Sequence, residues 1–82
     1  MNMPDQRIKV TAYSGYRGEE TPRAIILQGE RIEVVGILRR WIEEGVGDRA
    51  RKRFFIVKGN DGILRKIYYD EMIMEWFQTV EG

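Results

Sequence analysis

"VVGILRRWIEE", residues 34–44, decides the fold class of this chain. Val34, Val35, Ile37, Leu38, Trp41 and Ile42 recur at i, i+1, i+3, i+4, i+7 and i+8, the spacing of an amphipathic helix. Against a helix stands Gly36 in the middle, which costs roughly 1 kcal/mol relative to Ala in a helix interior. Val34, Val35, Ile37 and Ile42 are also β-branched and suit a strand better. The same residues make a long strand bent at Gly36, where a glycine marks a bulge or a barrel corner. The bent strand is the favoured reading; the alternative is an α+β fold with a helix around 34–44.

The flanking sequence favours strands. "RIKVTAY" (7–13) alternates Ile8, Val10 and Ala12 with Arg7, Lys9, Thr11 and Tyr13, as a half-buried strand does. "SGYRGEETP" (14–22) reads as a loop, "RAIIL" (23–27) as a strand, and Gln28-Gly29 as a hairpin turn in which Gly29 tolerates positive φ. "EEGVGDRARKR" (43–53) has no apolar periodicity and reads as a charged connection. "DEMIMEWFQTV" (70–80) reads as a turn or short helical bend feeding a final strand, with Trp76 and Phe77 in its core. Strands linked by short turns predict an all-β fold, a small five- to six-stranded antiparallel barrel or coiled sheet. The 82 residues suffice for one domain, read as 1–82 with flexible ends at 1–6 and 80–82.

Composition removes several chemistries. The chain has no Cys and no His, so disulfides, cysteine nucleophiles, haem ligation, the usual zinc sites and histidine acid–base work are all excluded. The apolar fraction of 43% suits a packed domain rather than a disordered one. No apolar run reaches the roughly 18 residues of a membrane span, and "MNMPDQRIKV" lacks the regions of a secretory signal. The expectation is a cytoplasmic protein with no membrane association.

Charge is segregated. Residues 1–48 carry −1, residues 49–66 carry +6 and residues 67–82 carry −4, for a net charge of +1. The basic segment, "RKRFFIVKGNDGILRKIYYD" (51–70), reads as a hairpin. Asn60-Asp61 form the centre of a type I turn, Gly62 takes the left-handed position, and Gly59 pairs with Ile63. That register puts Phe55, Val57, Ile63, Ile67 and Tyr69 on the core side together with Arg53 and Arg65. It puts Lys52, Phe54, Ile56, Lys58, Leu64, Lys66 and Tyr68 on the other side.

The second face interleaves lysines, which reach phosphates, with rings that stack on bases. The resulting expectation is a non-enzymatic module for single-stranded DNA or RNA. Lys52, Lys58 and Lys66 hold phosphates, Phe54 and Tyr68 stack bases, and Arg40, Arg49 and Arg51 extend the basic track. Two other readings fit the same residues. Lys stems cover apolar rings on many barrels without any ligand, and Phe54, Ile56, Leu64 and Tyr68 also suit the seam of a homodimer or a protein partner.

The chain resembles a family of small bacterial proteins of unknown function. The resemblance rests on "YSGYRGEETPRAIIL" (13–27), "ILRRW" (37–41), "FFIVKGNDG" (54–62), "YYDE" (68–71) and "EW" (75–76), and covers roughly Val10 to Phe77. Through "ILRRW" and the "DG…YDE…W" steps it is also similar to a domain appended to some bacterial Y-family polymerase-like proteins, which implies a DNA-related setting. Arg65 departs from the pattern, standing where an aromatic or aliphatic residue is expected. The family brings no activity and no catalytic residues to carry over.

The remaining motifs are weak. "GYRG" (15–18) has the glycine spacing of a backbone-clamping RNA loop, but follows a strand where that fold has helices. Arg39 and Trp41 share one face of a strand, where Arg stacks on indole; the favoured reading nonetheless buries Trp41 in the core and turns Arg40 outward. Glu19-Glu20 and Glu43-Glu44 are adjacent pairs that diverge in a strand, so neither forms a facing carboxylate pair. "GNDG" (59–62) is too short for a calcium loop. No metal, no cofactor and no catalytic residue is expected.

Overall fold

The computed structural model describes residues 5–14, 20–45 and 51–79. Six strands follow in chain order: β1 (Gln6–Ser14), β2 (Glu20–Leu27), β3 (Glu30–Glu44), β4 (Arg51–Gly59), β5 (Leu64–Asp70) and β6 (Glu75–Gln78). Each pairs antiparallel with the next, and β6 returns to β1 to close a barrel. No helix occurs among the described residues, so none is long and apolar enough to cross a membrane.

The helical spacing of 34–44 has a simple origin. Val34 pairs with Gly59 and Gly36 with Lys58, leaving Val35 as an extra residue. Ile37 pairs with Val57 and Arg39 with Ile56, leaving Leu38 as a second. Each bulge inserts one residue into a period of two, so Val34, Ile37, Arg40 and Ile42 share the side of Phe55 and Val57, while Val35 and Leu38 are the extra residues and Trp41 lies on the other side. The helical spacing thus mixes residues of both faces with the two extra ones. The first bulge lies at Gly36, as the bent-strand reading expects.

The turns follow their residues. Gln28 and Gly29 both take positive φ, at 51° and 78°, as a two-residue type I′ hairpin turn requires. In the β4–β5 turn the Gly62 amide donates to the Gly59 carbonyl at 2.9 Å, the Gly59 amide donates to Ile63, and Gly62 has φ 82°. The expected register holds: Lys58 faces Leu64, Phe54 faces Tyr68 and Lys52 faces Asp70. Strands also run into the segment read as a charged connection, since Glu43 pairs with Lys52 and Glu44 with Arg51.

Ile8, Ile25, Phe55, Val57, Ile67 and Trp76 form the buried core, flanked by Val10, Ala12, Leu27, Val34, Ile37 and Tyr69. Ile63 belongs to neither set and is 51% exposed. The two inward arginines of the hairpin bracket the core. Arg53 meets Glu71 at 2.6 Å, and Arg65 meets Asp61 at 2.8 Å with its own side chain only 9% exposed. Most of the Arg65 side chain is thus covered while its guanidinium meets the exposed Asp61 at the rim. At the amino end, Gln6 is already paired with Gln78, and Asp5 accepts a hydrogen bond from the Tyr68 hydroxyl. Residues 1–4 and 80–82 lie outside the described residues.

The barrel is not equally tight all round. Pairing between β2 and β3 runs only from Leu27↔Glu30 to Ala24↔Glu33. Beyond it, residues 34–44 of β3 pair with β4 alone among the described residues. A cleft of about 310 Å³ opens at this divergence, lined by Thr21, Arg40, Trp41, Ile42, Arg53, Phe54 and Phe55.

Candidate nucleic-acid interface

The outer face of β3–β6 is built in transverse rows. Trp41 pairs with Phe54, Phe54 with Tyr68 and Tyr68 with Phe77, so four rings share one side of four successive strands. Their centroids are 5.3, 4.9 and 5.3 Å apart in that order, near the spacing of the strands themselves. Trp41 and Phe54 lie within 9° of parallel. Paired residues share a face, so this row lies outside the barrel, back to back with the inward Phe55, Ile67 and Trp76.

Two readings of the aromatic residues are corrected here. Trp41 belongs to the outer row rather than to the core, because the second bulge at Leu38 turns it outward. Phe77 likewise packs on Tyr68 outside, whereas Trp76 is in the core. Phe54 and Tyr68 are 7% and 6% exposed, each flanked by rings on both sides. Their faces are taken up within the protein, so the role of base-stacking platform does not fit them. The half-buried ends of the row, Trp41 and Phe77, are its more accessible rings.

Cations clad the row. Lys66 Nζ lies 5.2 Å from the Phe54 centroid and 5.5 Å from that of Trp41, Lys52 Nζ lies 5.3 Å from Tyr68, and the Arg39 guanidinium lies 5.1 Å from Trp41. Below them, Arg39, Ile56 and Lys66 form the next row, and Lys58 faces Leu64. Above them, Glu43, Lys52, Asp70 and Glu75 form a mixed row. The positive field is therefore strongest around Arg39, Lys58 and Lys66, with Lys52 at an acidic rim.

The basic segment divides by face. Its inward arginines are neutralised: Arg53 and Arg51 by Glu71, Arg51 also near Glu44, and Arg65 by Asp61. Lys52, Lys58, Lys66 and Arg39 form no ion pair among the described residues. Of the expected site residues, Lys52, Phe54, Lys58, Lys66 and Tyr68 therefore share one surface. Arg40 pairs with Phe55 and Arg51 with Glu44, which turns both to the opposite side of the ribbon, so neither extends the track. Arg49 and the "GYRG" segment lie outside the described residues.

Two groups are tuned by these contacts. Burial, then the hydrogen bond to Asp5 at 2.6 Å, pushes the Tyr68 phenol far above its ordinary value. Arg65, then the Ile63 amide, holds the Asp61 carboxyl below the usual 3.8. Among the described residues no group of three or more potential ligands gathers to hold a metal ion. Sequence reasoning missed Phe77 as a member of the outer row. The signal was present: in "YY" and "WF", only one residue of each pair can face the core. No protein-family model, curated protein or solved structure matches the chain.

Proposed function

We propose that the protein is a non-enzymatic binding module that holds single-stranded nucleic acid on the outer face of β3–β6. Arg39, Lys58 and Lys66 meet the phosphates, Lys52 adds a contact at the rim, and bases stack at Trp41. The observation that carries this reading is the division of the basic segment. Its inward arginines are paired with carboxylates, while its outward Lys58 and Lys66 form no ion pair among the described residues, Lys66 lying over rings and Lys58 facing solvent. Cations held over rings keep their charge available to a polyanion, and the stacked row beneath fixes their positions. The resemblance to a domain appended to polymerase-like proteins points in the same direction. With Phe54 and Tyr68 covered, phosphate contacts dominate over base stacking, so affinity depends little on sequence.

The test is an amide chemical-shift titration with a short mixed-sequence single-stranded oligonucleotide at low and at moderate salt. The expected shifts centre on 39–41, 52–58 and 64–68 and fade with salt. If four phosphates are neutralised, the logarithm of affinity falls with the logarithm of salt at a slope of about −3. Lys58→Glu combined with Lys66→Glu abolishes the shifts. Unchanged affinity in that double variant would rule this face out.

A further inference from the structure

We propose that two copies of the chain pair antiparallel along the free edge of β3, with a two-fold axis at Trp41 and Arg39 of each copy opposite Glu43 of the other. The inference does not depend on the nucleic-acid reading.

Residues 34–44 carry backbone donors and acceptors on the side away from β4, where no described strand meets them. Soluble proteins normally blunt such edges with Pro, charge or a covering segment, because a bare edge recruits another strand. This edge bears Val35, Leu38 and Ile42, which are 61%, 58% and 45% exposed, interspersed with the charged pairs Arg39-Arg40 and Glu43-Glu44. An extended, partly apolar and unpaired strand is the surface that strand addition uses.

Charge identifies the occupant. "RRWIEE" (39–44) runs from two cations through two apolar residues to two anions, so its antiparallel copy brings opposite signs together. A two-fold axis between antiparallel strands sets one residue opposite itself, because facing residues must lie on the same side of the sheet. An axis at Arg40 would oppose like charges. An axis at Ile42 would also bring opposite signs together, Arg40 facing Glu44, but it would leave each Trp41 beside a Glu43 like the one to which it already donates at 2.8 Å in its own chain, and would not stack the two rings. An axis at Trp41 sets ring against ring on the outer face, flanked on both sides by Arg39 facing Glu43 of the second copy. Arg40 then faces Ile42 of the second copy on the other side. This arrangement also joins the two aromatic rows into one continuous row, with the lysine faces of both copies on the same side of the combined sheet.

The test is sedimentation of the full chain across a concentration series from micromolar to near millimolar, without nucleic acid. Dimer is expected to accumulate over that range. Arg39→Glu alone, or Glu43→Arg alone, replaces both opposite-sign pairs with like-sign pairs and should weaken the dimer roughly 10-fold or more. Mixing the two variants restores both pairs and should yield a heterodimer of parental affinity. Both residues are exposed, and amide dispersion checks that each variant stays folded. A parent that remains monomeric throughout, variants that dimerise like the parent, or a mixture that fails to form the heterodimer would each overturn the proposal. These outcomes leave the Lys52, Lys58 and Lys66 contacts of the phosphate-binding face untouched, whereas the dimer itself draws Arg39 into the pair with Glu43 and covers one side of Trp41.

Discussion

Trp41 lies opposite Phe54 across β3 and β4, with ring centroids 5.3 Å apart and planes within 9° of parallel. The pair anchors the part of β3 that has lost its contact with β2. Without a neighbour on one edge, this end of the β3–β4 hairpin depends on what its two strands do for each other. The aromatic row is thus a structural element as well as a surface, holding the flared hairpin to β5 and β6 from outside the barrel.

Truncating these rings should therefore reveal coupling. Phe54→Ala, at a position 7% exposed, is expected to cost about 3 kcal/mol in urea unfolding, and Trp41→Ala less because its ring is half-exposed. The double variant should fall short of the sum by about 0.5–1.5 kcal/mol, the value of a well-placed aromatic pair. Strict additivity would mean that the row is a set of independent surface residues.

Tyr68 should titrate apart from the other tyrosines. Its phenol is pushed above 10.0 first by burial and then by the hydrogen bond to Asp5. The unfolded chain therefore loses this proton first. The stability Tyr68 confers is complete below about pH 10 and is lost as pH rises through the folded value. In an absorbance titration, the step missing from Tyr68→Phe should coincide with alkaline unfolding. Asp5→Asn should lower that step yet leave it above the ordinary phenol value, since burial persists. A step at the ordinary value in the parent would contradict the described contact.

Asp61 carries the opposite sign. The Arg65 guanidinium, at 2.8 Å, is the first cause of its lowered value, followed by the Ile63 amide at 3.1 Å. A depressed carboxyl contributes stability that is present above 3.8 and lost as pH falls through the folded value. Carboxyl carbon shifts should place the midpoint of Asp61 below 3.8 in the parent and move it upward in Arg65→Met. The denaturation midpoint of Asp61→Asn should fall at neutral pH, and its difference from the parent should close in strong acid. A gap that persists in acid would mean that the ion pair is not what stabilises this turn.

The sequence was most legible where one residue dictated the geometry. Gly29 and Gly62 announced their turns, and the Asn60-Asp61 centre fixed the register of β4 against β5, hence which side of the hairpin every residue takes. It was least legible where the backbone broke its own period. Val35 and Leu38 are indistinguishable in type from inward residues, and only their pairing with β4 shows that each is an extra residue. Leu38 alone reverses the facing of Arg40 and Trp41, which is why the indole read as core and the arginine as surface. The lysines of the site were visible from alternation, but the covering of Phe54 and Tyr68 was not. That covering comes from β3 and β6, which lie outside the hairpin.

Gly59 and Gly36 offer a last contrast, because both sit on the β3–β4 ladder and only one is sterically required. A Cβ on Gly59 would lie 2.7 Å from Asp61 Oδ1, 2.7 Å from Ile32 Cγ2 and 3.0 Å from Arg65 Nη1. None of these groups yields freely: Ile32 is buried in the barrel, and Asp61 is held by Arg65 and the Ile63 amide. Gly59→Ala should therefore lower stability by about 1–3 kcal/mol, as overpacking does, and raise the Asp61 midpoint by loosening its pair. At Gly36 nothing lies within 4 Å of the added atom, and its φ is not among the positive ones. Gly36→Ala should leave the urea midpoint within about 0.5 kcal/mol of the parent, even though this glycine marks the bulge. If Gly36→Ala proved the more damaging of the two, the bend in β3 would depend on glycine itself rather than on the extra residue beside it.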